Sequence, residues 1–193
     1  MCSAEHEHWY EVHREITQGH PMNIEKICRD LFDCGDRVHK ALGGGFTEAV
    51  NQNALTIEFR EMGLPYLKEV NIEIFYRGHS IGTDRPDFVL LPTKKKGWNL
   101  DEPLVLETKV AAKLTDDHRQ QLKTYLKSLP RNKNTDISSA TKGVLLRFSK
   151  SETYSDEEDA GQPPKQPEVE VEFWSYSARS DKMIRRYRLP AVE

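Results

Sequence analysis

One run constrains this chain more than any other: Leu104-Val105-Leu106-Glu107-Thr108-Lys109. Side chains of an extended strand alternate, so Glu107 and Lys109 share one face while Thr108 points to the other. An isolated Glu-x-Lys is most often a surface ion pair at a strand end. Here it is the only Asp/Glu-x-Lys in the sequence, and it closes the most apolar strand candidate.

The surrounding pattern supplies the rest of an α/β plan. Ile24, Ile27, Cys28, Leu31, Val38 and Leu42 recur near helical spacing and predict a helix over 23–42, broken by Gly43-Gly44-Gly45. Phe46, Ala49, Val50, Asn53, Ala54 and Ile57 form a stripe that predicts a second helix over 46–62, stopped by Gly63. Strands are expected over 67–76, 80–91 and 103–110, with a turn at Arg77-Gly78-His79 and a basic loop over 94–101. A third helix fits 115–129, capped by Thr115 with Asp116 and Asp117 in its first turn. A strand at 142–148 and a closing hairpin, 169–176 with 183–189, complete a mixed α/β order.

Several polar residues fall where a core or a strand start would not ask for them. Asp87 opens Phe88-Val89-Leu90-Leu91, and an unpaired acid at the head of a buried strand is costly. Turn capping would explain it; so would metal coordination beside Glu107. Glu48 lies in the first turn of its helix, where the dipole alone favours an acid. His118 and Gln121 lie on or beside the apolar stripe Leu114, Leu122, Tyr125, Leu126, Leu129, which points to a site beneath that helix.

Bulk properties narrow the class. The 193 residues suit one domain with some decoration: an irregular, histidine-rich segment 1–22 and a domain 23–193. With 37% hydrophobic and 31% charged residues and no long apolar run, a soluble, non-membrane protein is expected. The first residues lack a basic start followed by an apolar stretch, which argues against a secretory leader and for an intracellular site. The three cysteines (Cys2, Cys28, Cys34) make a poor disulfide framework and are one short of an iron–sulfur set. Net charge is −3, but Glu152, Asp156, Glu157, Glu158 and Asp159 supply five acids to a proline-containing stretch, 150–167, read as a mobile loop. Lysines 94–96, then Lys123, Lys127, Arg131 and Lys133, then Arg185, Arg186 and Arg188, are the candidates for a phosphate-binding rim.

These residues carry a family likeness. Gly45-Phe46-Thr47-Glu48, Gln52-Asn53-Ala54-Leu55, Gly63-Leu64-Pro65, the run Ile81 to Asp87, Leu106-Glu107-Thr108-Lys109, and Leu114 through His118 to Gln121-Leu122 and Tyr125-Leu126 stand in a specific order. Over roughly residues 25–150 the chain resembles the GxxExxY family of the PD-(D/E)XK nuclease-like superfamily. The resemblance implies a restriction-endonuclease-like core of helix, three-stranded sheet, helix and strand, here with an extra N-terminal helix and a C-terminal hairpin. It implies a nuclease dependent on Mg²⁺ or Mn²⁺, acting on nucleic acid, with DNA the expected substrate. Asp87 would be the PD acid, Glu107 and Lys109 the (D/E)XK pair, Glu48 the helical glutamate and Gln121 the glutamine of the following helix. Glu48, Asp87, Glu107 and the Thr108 carbonyl would hold the metal. The tyrosine expected three residues after Glu48 is replaced by Asn51.

Two rivals stand beside this reading. One is a binding or interaction module on the same fold without catalysis; the other is an unrelated small α/β enzyme using a histidine base. A homodimer, and a protein partner held by the acidic loop, are compatible with the sequence.

Overall fold

The computed structural model describes residues 21–150 and 167–191. The expectations for 1–22 and for the acidic loop fall almost wholly outside the described residues.

Helix α1 (Ile24–Leu42) starts where the Asn23 side chain accepts the Lys26 N–H at 3.1 Å, and it ends at Gly43, whose φ of 77° few other residues adopt. Helix α2 (Glu48–Met62) ends at Gly63, a left-handed C-terminal cap. The chain then forms β1 (Tyr66–Lys68), β2 (Ile72–Tyr76), β3 (His79–Asp84), β4 (Phe88–Leu90), β5 (Leu104–Val110), α3 (Asp116–Ser128), β6 (Lys142–Phe148), β7 (Val169–Ser177) and β8 (Lys182–Leu189).

Six strands make one sheet in the order β1-β4-β5-β6-β7-β8. Only β5 and β6 are parallel, joined by α3 as the crossover that parallel neighbours require. Leu104 to Thr108 are all buried, because β5 is covered on both faces. On one face α1 and α2 pack over Phe88, Leu106, Val144, Leu146 and Phe173. On the other, α3 lays Leu122, Tyr125, Leu126 and Leu129 over Val89, Val105 and Leu145. The result is helix, sheet, helix in three layers.

Three expectations need correction. Residues 67–76 are not one strand: Glu69, at φ 51°, turns the chain out of the main sheet, so β1 pairs with β4 and β2 pairs with β3. Residues 80–91 are likewise cut by Arg85-Pro86 between β3 and β4, since proline cannot donate to a ladder. In α2 the stripe read from the sequence faces outward. Phe46, Val50 and Ile57 are exposed, and the buried row is Asn51, Gln52, Leu55 and Phe59. By residue type the outward row is the more apolar, and the buried row carries Asn51 and Gln52, so periodicity pointed to the wrong face.

Close packing of α3 on the sheet depends on Gly143. A Cβ there would stand 2.6 Å from Leu122 Cδ1 and 3.1 Å from its Cγ, inside a buried contact. Gly143→Ala is expected to destabilise the fold by about 1–3 kcal/mol through overpacking, measured as a lowered urea midpoint with an unchanged slope.

Candidate active site

The site forms where β5 outruns β4. Strand pairing between them stops at Phe88 and Leu106, so the end of β5 presents one free edge. Asp87, the residue before β4, fills it. Its Oδ2 accepts the Thr108 N–H at 2.7 Å and the Thr108 hydroxyl at 2.6 Å. In the other direction, the Asp87 N–H donates to Glu107 Oε2 at 3.2 Å. A residue's N–H and C=O point to the same strand edge. The Thr108 carbonyl therefore faces this edge with Asp87.

The alternation of β5 sorts the roles. Thr108, fully buried, turns toward α2, where its hydroxyl accepts from Gln52 Nε2 at 3.1 Å. Glu107 and Lys109 turn the other way, toward α3, and pair at 2.8 Å. Glu48 enters from the first turn of α2. It accepts the Val110 N–H at 3.3 Å and stands 4.0 Å from Lys109 Nζ. Three carboxylates thus stand near one ammonium.

Burial and neighbouring charge shift the proton affinities of these groups. Desolvation, reinforced by Asp87 and only partly offset by Lys109, pushes the Glu107 carboxyl up to about 7. Glu48 is raised for the same first reason, against the pull of Lys109. Burial works to lower Lys109, but Glu107, Glu48 and Asp87 outweigh it and raise it, keeping the ammonium charged.

Gln121 bonds none of the four charged residues; its Nε2 donates to the Tyr125 hydroxyl at 2.8 Å. That hydroxyl in turn donates to the Arg85 carbonyl at 3.3 Å, tying α3 to the turn before Asp87. His118 has a structural task. Its Nδ1 accepts the Thr115 N–H at 3.2 Å within a capping box, and burial with the nearby Lys109 lowers its pKa.

Two contributors were given no role from the sequence: Gln52 and Tyr125. Gln52 had a signal, since Glu48, Gln52, Leu55 and Phe59 follow i, i+4, i+7 and i+11, a polar pair heading an apolar row. Tyr125 reads as core by periodicity, and only its hydroxyl's partners reveal more.

The donor set suits a hard cation. Asp87 and Glu107 are oxygen ligands beside an unpaired strand edge, and their mutual repulsion is what a cation would relieve. Among the described residues no three His, Cys, Asp or Glu side chains converge as a full ligand cage. Main-chain oxygen and water would complete the shell, as Mg²⁺ commonly accepts.

A strand bearing Glu-x-Lys, an acid ahead of the neighbouring strand and a flanking helical glutamate are the marks of a PD-(D/E)XK centre. The family model described as PD-(D/E)XK nuclease superfamily matches residues 25–157, and the chain belongs to that superfamily. No curated protein and no solved structure matches the chain.

The raised Glu107 pKa gives a pH test. The folded state holds this proton more tightly than the unfolded chain, so its contribution to stability is full below pH 4.5 and fades as pH rises through about 7. In metal-free buffer, wild type should lose on the order of 2 kcal/mol relative to Glu107→Gln between pH 5 and pH 8, read from urea unfolding at each pH.

Proposed function

We propose that this protein is a metal-dependent nuclease that hydrolyses phosphodiester bonds, with DNA as its substrate. The observation that carries the reading is the convergence of Asp87, Glu107 and Lys109 at the open end of β5, with Glu48 at its border. The resemblance to the GxxExxY family supports it, as does the oxygen-only donor set.

Asp87, Glu107 and the Thr108 carbonyl would hold Mg²⁺ or Mn²⁺, with Glu48 holding a second ion or an ordered water. Such an ion, when bound, supplies charge neutralisation and lowers the pKa of a coordinated water. The chain's residues do the positioning. Thr108 fixes the Asp87 carboxylate through two hydrogen bonds, and Gln52 fixes Thr108. Lys109, held charged by its three acidic neighbours, orients the attacking water and stabilises negative charge on the phosphate in the transition state. Gln121, braced by Tyr125, borders that space from α3 and positions Lys109 or the water. Asn51 takes the place of the family tyrosine without loss of an acid. It is buried, and its amide donates to the Thr47 carbonyl at 3.2 Å, so it serves the first turn of α2.

The test is cleavage of labelled single-stranded, double-stranded and branched DNA with Mg²⁺ or Mn²⁺. Lys109→Ala should lower cleavage about a thousandfold while circular dichroism and the urea midpoint stay near wild type. A variant that cuts like wild type refutes the role given to Lys109. A folded wild type that cuts nothing with either metal favours a binding module instead.

A further inference from the structure

Beside the row of α3 that carries Gln121 and Tyr125 lies a feature that the site does not use. A groove of about 330 Å³ runs between α3 and β2. One wall is basic. Lys123 and Lys127 lie four residues apart on α3, and Arg131 continues the row in the 3₁₀ turn Leu129–Arg131. The other wall is apolar, made by the half-buried Ile74 and Phe75 of β2.

The groove is built rather than incidental. Asn132 closes its end by bonding the main chain of β2 as a strand would, accepting the Glu73 N–H at 2.8 Å and donating to the Glu73 carbonyl at 3.3 Å. One acid faces the three cations. Asp181, in the turn between β7 and β8, meets Lys123 at 3.2 Å and Lys127 at 3.3 Å. It is half exposed, so both pairs are water-screened and easily exchanged for another anion. The whole chain carries −3, so the excess of three cations over one acid is local to this groove.

A row of cations opposite an aromatic wall is what a single nucleic-acid strand requires. Its phosphates seek the charges, and an unpaired base can lie against the ring. A duplex keeps its bases stacked inside and cannot offer one to Phe75. The groove is also close to the chemistry. Gln121 and Tyr125 form the adjacent row of α3, and the hairpin that supplies Phe75 runs on through Arg85-Pro86 to Asp87.

We propose that this groove binds single-stranded nucleic acid, with phosphates on Lys123, Lys127 and Arg131 and a base on Phe75, and leads it to the site at the end of β5. The last step rests on the nuclease reading; the binding itself does not.

The experiment is fluorescence anisotropy with labelled oligothymidine and the full chain in EDTA, where a metal-dependent site cannot cut. Wild type should bind the single strand more tightly than a duplex of matched length. Lys123→Glu with Lys127→Glu should weaken binding at least about tenfold and flatten its salt dependence. Phe75→Ala should cost roughly tenfold for the single strand and leave the duplex unchanged. Asp181→Asn should tighten binding, a gain that misfolding would not produce. Failure to bind oligothymidine, preference for the duplex, or indifference to both charge changes overturns the proposal. Binding that follows this pattern without cleavage on adding Mg²⁺ or Mn²⁺ keeps the groove and removes the nuclease. Cleavage unaffected by the groove variants does the reverse.

Discussion

Thr108 ties three elements together with one small side chain and its own backbone. Its N–H and hydroxyl hold Asp87 at the head of β4, and its hydroxyl accepts from Gln52 of α2. The hydroxyl lies on the face of β5 opposite Glu107 and Lys109, and the N–H on the strand edge between the two faces. The strand therefore separates support from chemistry by its pleat and its edge. That clamp extends the contact between β4 and β5 past the last regular pair, Phe88 with Leu106, and the Asp87 N–H on Glu107 completes it. The rest of the core serves this arrangement. The α1–α2 layer brings Glu48 and Gln52 to one side, and the β5–α3–β6 crossover brings Gln121 and Tyr125 to the other.

The electrostatics of the site follow from its crowding. Glu48, Asp87 and Glu107 share a single ammonium, and burial deprives Glu107 of the water that would stabilise its charge. At neutral pH the carboxyl and a proton are near balance, so Glu107 can exchange that proton for a cation at little cost. Lys109 moves the opposite way. Its acidic neighbours hold it charged although burial opposes that.

The sequence made the main frame legible because long, strongly patterned elements announce themselves. Helix α1, the caps at Thr115 and Gly63, the apolar strands at 104–110 and 142–148 and the closing hairpin all stand where periodicity and turn residues put them. The conjunction of Glu107, Lys109 and Asp87 was readable because each is a polar residue attached to an apolar run. Most of what stayed hidden had a common cause: it depended on partners distant in sequence. The inner face of α2 was misread because Phe46, Val50 and Ile57 are as apolar as Leu55 and Phe59, and only the sheet beneath decides which row is buried. The two strand breaks carried local signs, the paired polar residues Lys68-Glu69 and the proline of Arg85-Pro86, that the apolar residues on either side outweighed. Gln52 and Tyr125 acquire their tasks from Thr108 and Arg85, contacts that no local pattern encodes.

Those two breaks leave β2 and β3 as a hairpin that shares no ladder with the six-stranded sheet. It is held at its base, where Ile72 is buried in the core beneath α3 and Asn132 bonds Glu73, and every residue of β3 is exposed. A segment attached in this way can gain or lose residues at its tip while the register of β4 and β5 stays intact. The chain thus keeps an adjustable reach beside a chemistry of fixed dimensions. A change in the length of this one hairpin leaves the strand that carries Glu107 and Lys109 untouched.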